Sequence, residues 1–217
     1  MNKLIEDLKK DLKDSRNYIL FLIPLIVVSI IFCIIIKIGI SEFDNYILGQ
    51  ISKVVNYRLT VIMGIITSMC TPTTMLYIVL LCLLLFKNKR IGIGITFALL
   101  FSGGTNLILK AIFSRQRPIQ YMLIDESGYS FPSGHSMVSI AFYGFLIYVF
   151  YNVIENKKVR NIVLSLLVLL IIAIAFSRLY FGVHYPTDVL AGLTLGYISL
   201  YIYIKIFSKY IIKNEKT

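Results

Sequence analysis

The chain has 217 residues, of which 58% are hydrophobic and 15% are charged, and its mean hydropathy is +0.81. Soluble domains average about 45–50% apolar and about 25% charged residues, so a soluble fold of this size would expose far too much apolar surface to water. Disorder is excluded because it requires low hydrophobicity. The composition therefore predicts an integral membrane protein.

Six stretches without charged residues define the predicted architecture. They are residues 18–36, 59–86, 91–109, 136–154, 161–177 and 189–204. The first four are long enough to cross about 30 Å of hydrocarbon at about 1.5 Å per residue, and the last two need flanking residues to do so. Pro72 predicts a kink in the second stretch. The pattern predicts an all-α membrane protein with six transmembrane helices and both termini on the same side.

Basic residues are distributed unevenly between the two ends of these stretches. Fifteen of the 22 lie in the segments 1–17, 87–90, 155–160 and 205–217. The positive-inside bias makes this side cytoplasmic, so both termini are predicted to be cytoplasmic. Topology thus accounts for most of the net charge of +11, and nucleic-acid binding is excluded.

Residues 1–217 are predicted to form a single six-span domain, because no repeat or linker divides the chain. Residues 1–17 are predicted to form a cytoplasmic juxtamembrane arm. Its leucines at four-residue spacing are consistent with either an interfacial helix or a frayed tail. The segment 41–58 carries apolar residues near helical spacing. It fits either an interfacial helix beside a lipid entry route or an ordinary connecting helix.

The polar residues at the other ends of the stretches are concentrated in two connections, 110–135 and 177–188. Both histidines of the chain, His135 and His184, lie there. The charged residues of these connections are Lys110, Arg115, Arg117, Asp125, Glu126, Arg178 and Asp188. Cations near hydrocarbon are costly, so this clustering against the orientation bias indicates a functional site.

The end of the first connection has the features of an oxyanion site. Ser133 is a preferred N-cap residue for the stretch that follows, and Gly134 allows a ligand to approach the backbone closely. The start of a helix offers free N–H groups and a positive dipole.

The second connection places a carboxylate close to a histidine. Pro186 suits the first turn of the last stretch, so Asp188 follows closely behind His184. A carboxylate at that position can hold one imidazole nitrogen and leave the other free to attack.

Three motifs in these connections match, at every position, the signature of the type 2 phosphatidic acid phosphatase superfamily. They are Lys110 and Arg117-Pro118 with six residues between, Pro132-Ser133-Gly134-His135, and Ser177-Arg178 followed by His184 and Asp188. The chain resembles the bacterial phosphatidylglycerophosphatase B and undecaprenyl-diphosphatase-like members, and more distant relatives include glucose-6-phosphatase and vanadium haloperoxidases.

The resemblance implies an integral membrane phosphatase acting on phosphatidylglycerol phosphate, undecaprenyl diphosphate or phosphatidic acid. It implies that His184 is a nucleophile forming a phosphohistidine, that Asp188 orients it, and that His135 protonates the leaving group. The phosphoryl oxygens would be bound by Lys110, Arg117, Ser133, Gly134 and Arg178. These roles fit phosphoryl transfer, which needs mainly positioning and charge stabilisation.

The expected partners are the membrane lipid substrate and the bilayer. No cofactor or metal is expected, since both histidines have roles in the implied reaction and the three cysteines lie in apolar stretches. The active site is expected at the extracytoplasmic interface of the cell membrane.

Two other functions remain open at this stage. A lipid phosphotransferase would pass the same phosphoryl group to another lipid or a sugar instead of water. An anion transporter would need charged residues through the membrane, which the six stretches lack. Asp125 and Glu126 are interpreted as solvated acids of a turn, with headgroup selection as the alternative.

Overall fold

The computed structural model describes residues 15–85 and 89–213, and these ranges contain helices and no strands. Except for its last three residues, the predicted arm 1–17 lies outside the described residues. The α-helices are α1 (Ser15–Ile38), α2 (Ile40–Ser52), α3 (Tyr57–Ser68), α4 (Pro72–Leu85), α5 (Lys89–Phe113), α6 (Gly134–Val153), α7 (Lys157–Tyr180) and α8 (Pro186–Lys213). A 3-10 turn, Ile119–Tyr121, lies in the loop between α5 and α6.

Among the described residues, four helices, α5 to α8, are long and apolar enough to cross a membrane. Two bent pairs raise the number to as many as six if each pair is one span: α1 with α2, which meet at 98°, and α3 with α4, which meet at 50°. The all-α prediction is confirmed, and the six predicted spans correspond to the upper limit of this range. The fold is that of a multi-pass membrane protein.

The second predicted span is broken, as Pro72 indicated. α3 ends at Ser68 and α4 begins at Pro72. Proline is favoured in the first turn of a helix, because an N–H at that position would have no partner within the helix. For the same lack of an N–H, proline cannot continue the helix that precedes it. In the break, the Cys70 thiol donates to the His135 carbonyl at 3.5 Å, so the break lies beside the start of α6.

The helix expected within 41–58 is shorter than that segment. α2 ends at Ser52, and Asn56 begins a new helix by accepting a hydrogen bond from the Leu59 N–H at 3.0 Å. α2 lies between α1 and α3 in the chain, and its residue Asp44 is fully buried.

α6 lies at the centre of the bundle, where Phe142 and Phe145 are fully buried. Their cluster includes residues of α4, α5, α7 and α8. α6 and α8 approach closely at Gly196, where an added Cβ atom would lie 2.1 Å from Ile140 Cγ2 and 2.5 Å from the Met137 carbonyl oxygen. Small residues at such a crossing are typical of membrane helices, whose association depends on close packing.

Candidate active site

The start of α6 is fixed by Ser133, as its sequence predicted. Its side chain accepts a hydrogen bond from the Ser136 N–H at 3.4 Å, which is the N-cap arrangement. The Ser133 N–H donates to the Asp188 carbonyl at 3.0 Å. This bond ties the beginning of α6 to the beginning of α8, so two of the three motifs meet through their backbones.

Asn106 of α5 supports the same turn and was not identified from the sequence. It is buried and donates to the Pro132 carbonyl at 3.2 Å. A Cβ atom at Gly134 would lie 3.0 Å from Asn106 Oδ1, so the glycine makes room for this asparagine. Asn106 precedes Lys110 by four residues, and this spacing on one helix face was the available signal.

The end of α7 determines where His184 lies. The Val183 N–H bonds the Arg178 carbonyl at 3.2 Å and the Gly182 N–H bonds the Leu179 carbonyl at 3.0 Å, a Schellman arrangement that requires a left-handed residue. Gly182 supplies it with φ of +64°. The chain reverses here and carries His184 back toward the end of the helix that bears Arg178.

His184 is almost completely buried, with 1% of its surface exposed. Its Nε2 lies 3.4 Å from Arg117 Nη1, and its Nδ1 lies 3.7 Å from Asp188 Oδ2. The second distance is too long for a hydrogen bond, and Nδ1 has no partner among the described residues. Asp188 is thus next to the imidazole without holding it directly.

Burial lowers the pKa of His184 to about 4. The contact with Asp188 opposes this shift, whereas the charges of Arg178 and Arg117 add to it. His184 is therefore neutral at neutral pH, which is the protonation state of a nucleophilic imidazole.

Arg117 is held by three backbone carbonyls. It donates to Gly128 at 3.0 Å, to Ser127 at 3.0 Å and to Val183 at 2.7 Å. These bonds connect the loop after α5 with the residue before His184. The guanidinium is consequently fixed before any ligand binds.

Arg178 is 2% exposed and is bound from two sides. Nη1 donates to Thr67 Oγ1 of α3 at 2.8 Å, and Nη2 pairs with the Glu126 carboxylate. Nε is buried without a partner in the described part of the chain. An unpartnered guanidinium N–H in a buried site is a donor available to an oxyanion.

Glu126 is not the solvated acid that the sequence suggested. Besides Arg178 it approaches Arg117 Nη2 at 3.6 Å, and its side chain is 27% exposed. Burial alone would raise the pKa of Glu126, but the charges of Arg178, Arg117 and His135 outweigh it and lower that pKa. The pairing brings together residues 52 positions apart, which no local pattern reveals. Asp125, next to it, is exposed as expected.

Lys110 and His135 complete the cluster. Both are half-buried, and each interacts electrostatically with Arg178 and Glu126. His135 also interacts with His184. The structure therefore gathers all eight residues singled out from the sequence at one end of the bundle formed by α5 to α8.

Two further residues were given no role from the sequence. Asp44 of α2 is fully buried and accepts hydrogen bonds from the Thr187 N–H at 3.0 Å, the Thr187 hydroxyl at 2.7 Å and Arg115 at 2.7 Å. Arg115 also donates to Asp188 at 2.6 Å and lies 4.0 Å from the centre of the Tyr185 ring. An acid among the apolar residues of segment 41–58 and an arginine two residues before Arg117 were the signals present in the sequence.

Within the described ranges, no group of three or more His, Cys, Asp or Glu side chains could hold a metal ion. Two buried nitrogen atoms of the cluster, Arg178 Nε and His184 Nδ1, have no hydrogen-bond partner in this part of the chain. The site is thus suited to an oxyanion.

The fold and this cluster define a membrane protein with a buried, arginine-rich candidate site at one end of an apolar helix bundle. Residues 91–212 match the PAP2 superfamily, and the chain belongs to that superfamily. The matched range contains all eight predicted site residues and Arg115, whereas Asp44 lies outside it.

The chain is 36% identical over 101 residues to phosphatidylglycerophosphatase B of Bacillus subtilis, an alignment covering 45% of this chain and 48% of that protein. It is 27% identical over 127 residues to an undecaprenyl-diphosphatase of Sulfolobus acidocaldarius, covering 52% and 54%. The chain thus spans about half the length of the curated relatives it matches.

The chain is similar to a solved structure over most of the length of both. The transmembrane PAP2-type phosphatidylglycerolphosphate phosphatase from Bacillus subtilis superposes with a TM-score of 0.75 at 25% identity, covering 86% of this chain and 94% of that one. The similarity extends beyond the matched family range, so the arrangement of helices outside that range is shared as well.

Proposed function

We propose that this protein is a membrane phosphatase that hydrolyses a lipid phosphate or diphosphate through a phosphohistidine at His184. The observation that carries the proposal is the neutral, buried imidazole whose Nε2 lies 3.4 Å from a fixed guanidinium. A nucleophile next to a cation is placed where a bound phosphoryl group presents its phosphorus atom. The relatives named as lipid phosphatases support the same reaction class.

In the first step, Lys110, Arg117 and Arg178 bind the phosphoryl oxygens and neutralise their charge. Nε2 of His184 attacks phosphorus, and the bond from phosphorus to the lipid oxygen breaks. His135 takes up a proton when the anionic phosphoryl group binds next to it and donates this proton to that oxygen. The attacking nitrogen must be unprotonated, which assigns the ring proton to Nδ1, the nitrogen facing Asp188.

In the second step, His135 accepts a proton from a water molecule whose oxygen attacks the phosphohistidine. The phosphorus–nitrogen bond breaks, inorganic phosphate leaves and His184 returns to its neutral form. The Asp188 carboxylate stabilises the positive charge that the ring carries while it is phosphorylated. General acid catalysis of this kind contributes about 10²–10⁴-fold.

The substrate class follows from the surroundings of the site. Helices with apolar outer faces surround a polar cluster at their ends, so a lipid can place its headgroup among the cations while its chains stay in hydrocarbon. Phosphatidylglycerol phosphate, undecaprenyl diphosphate and phosphatidic acid all satisfy this description. The excess of bases at the opposite ends of the stretches supports an extracytoplasmic position for the site.

The test uses detergent-purified protein with EDTA present and offers the three lipids in parallel. We expect release of inorganic phosphate by the wild type and none by His184→Asn. The His135→Asn variant lacks both the general acid of the first step and the general base of the second. Acid-labile ³²P label should therefore accumulate on it only from a substrate whose leaving group needs no protonation. An aryl phosphate with a good leaving group should restore the first step in that variant.

Two results would contradict the proposal: phosphate release by His184→Asn at the wild-type rate, or absence of label from histidine in folded protein. Labelled lipid or sugar product in place of inorganic phosphate would instead identify a phosphotransferase.

A further inference from the structure

Glu126 occupies a place that the proposed reaction needs for its substrate. Its carboxylate pairs with Arg178 and approaches Arg117, two of the three cations assigned to the phosphoryl oxygens. Carboxylate and phosphate use the same guanidinium donors in the same planar geometry. The two anions therefore compete for one set of N–H groups.

The loop that carries Glu126 is anchored at its base. The carbonyls of Ser127 and Gly128, directly after it, accept hydrogen bonds from Arg117 at 3.0 Å each. Glu126 itself also lines a cavity of about 460 Å³ whose wall includes Asp125 and Met122. With its side chain 27% exposed, Glu126 can turn from Arg178 into this cavity while the loop stays in place.

The competing group is charged under ordinary conditions. The arginine charges lower the pKa of Glu126, so its carboxylate is ionised at neutral pH. Any substrate must consequently displace an anion, and a singly charged ligand gains little Coulomb energy from that exchange. A doubly charged ligand gains considerably more.

We propose that Glu126 is a specificity-determining residue: it occupies the phosphoryl site when no substrate is bound, and only groups with at least two negative charges displace it. Terminal phosphomonoesters and diphosphates meet this condition. Phosphodiester headgroups, which carry one charge and surround the protein in a phospholipid bilayer, do not. The inference rests on the proposed function, since it assigns the substrate class of the same site.

The expected effect follows from the occupancy of Arg178 by Glu126. Apparent affinity is reduced by the fraction of molecules whose site is free, so a carboxylate bound in about 90–99% of molecules weakens anion binding by about 10–100-fold. The penalty is the same for every anion and leaves the ratio of two affinities unchanged. It acts as a threshold: a dianion that binds the cations strongly still occupies the site, whereas a weakly bound monoanion does not.

The experiment measures binding of two inert anions to detergent-purified protein by calorimetry. Tungstate is a dianion that resembles the phosphoryl group, and dimethyl phosphate is a singly charged phosphodiester. Glu126→Gln removes the competing charge and keeps the size of the side chain. Asp125→Asn is the matched control, because it makes the same charge change one residue earlier on an exposed side chain.

We expect Glu126→Gln to bind tungstate at least about 10-fold more tightly than the wild type and to bind dimethyl phosphate measurably. Asp125→Asn should behave as the wild type does. Unchanged or weaker tungstate binding by Glu126→Gln would overturn the inference, and so would an equal gain in Asp125→Asn.

A second measurement needs no variant. The wild type should bind tungstate and exclude dimethyl phosphate at equal concentration, and equal binding of the two would also overturn the inference. Neither measurement requires turnover. Failure of the proposed function would appear separately, as a wild-type protein that binds tungstate and releases no phosphate from any lipid.

Discussion

Arg115 donates a hydrogen bond to Asp188 across 2.6 Å, although 73 positions separate the two residues. The other carboxylate oxygen of Asp188 accepts the Tyr185 N–H at 2.9 Å and lies 3.7 Å from His184 Nδ1. Asp188 is therefore positioned by Arg115 and the backbone and faces the imidazole from a fixed place. Asp44 fixes Arg115 in turn through a 2.7 Å ion pair.

Arg115→Lys should lower kcat by about 10²-fold and leave KM nearly unchanged, because a misplacement of about 1 Å in a catalytic group has an effect of this size. One ammonium group cannot serve Asp44 and Asp188 with the fork geometry of a guanidinium. Steady-state phosphate release on a lipid phosphate measures both constants. Arg58→Lys, the same change at an exposed residue, is the control and should leave both unchanged. A normal kcat in Arg115→Lys would show that Asp188 needs no such support.

The protonation of His184 should determine the acid side of the pH profile. With a pKa of about 4, the free enzyme keeps its nucleophile neutral down to that pH. Below it, kcat/KM should fall by about tenfold per pH unit, because the protonated ring cannot attack. The measurement is kcat/KM from pH 3 to 7 with a soluble short-chain substrate, expressed per dianionic substrate, because a phosphomonoester loses its second charge at about pH 6. An acid limb near pH 6.5 that persists after this normalisation would mean that His184 titrates as an exposed histidine does.

The lowered pKa of His184 also makes the free energy of unfolding depend on pH. Between about pH 6.5, the ordinary value for histidine, and pH 4, the unfolded chain binds a proton that the folded protein does not. The contribution of His184 to the free energy of unfolding should therefore decrease as the pH falls from about 6.5 to about 4, and it should level off below pH 4. Thermal unfolding of the wild type should show this slope, and His184→Gln should reduce it.

Much of this architecture could be predicted from the sequence, because the signals that determine where helices begin are local. Ser133 caps α6, and Pro186 begins α8, since each residue type has a strong preference for its helix position. The pairing of Asp44 with Arg115 depends on contacts across 71 positions, and that of Glu126 with Arg178 on contacts across 52. Such pairs arise from the packing of helices and leave no periodic pattern in the chain.

Gly182→Ala should strongly destabilise the protein. The residue has φ of +64°, and an added Cβ atom would lie 1.9 Å from the Tyr121 carbonyl oxygen. A left-handed conformation alone costs a residue with a Cβ atom about 1–2 kcal/mol, and the clash with backbone adds to this cost. Gly64→Ala is the matched control: no atom lies within 4 Å of its added Cβ in α3, and it should be neutral or stabilising by up to about 1 kcal/mol. Thermal unfolding in detergent compares the two, and equal stability would contradict the Schellman arrangement at the end of α7.

Thr67→Val should weaken substrate binding through Arg178. The Thr67 hydroxyl is the acceptor for Nη1 of this buried guanidinium at 2.8 Å, and valine has a similar shape without an oxygen atom. Hydrogen bonds to charged groups contribute about 1.5–3 kcal/mol, and a buried donor left without an acceptor is costly. We therefore expect kcat/KM to fall by about 10–100-fold, because a less firmly held Arg178 binds the phosphoryl oxygens less well.

The matched control is Thr105→Val in α5, whose hydroxyl donates to the Phe101 carbonyl of its own helix at 2.7 Å. It makes the same chemical change at a distance from Arg178 and should leave kcat/KM within about twofold of the wild type, as expected for a helix hydroxyl outside the site.

The double variant Thr67→Val with Glu126→Gln separates the two partners of Arg178. If Thr67 acts by orienting the guanidinium, its effect should be larger once Glu126 no longer holds the other nitrogen. Strictly additive effects would indicate that the two contacts act independently and that Thr67 does not position Arg178.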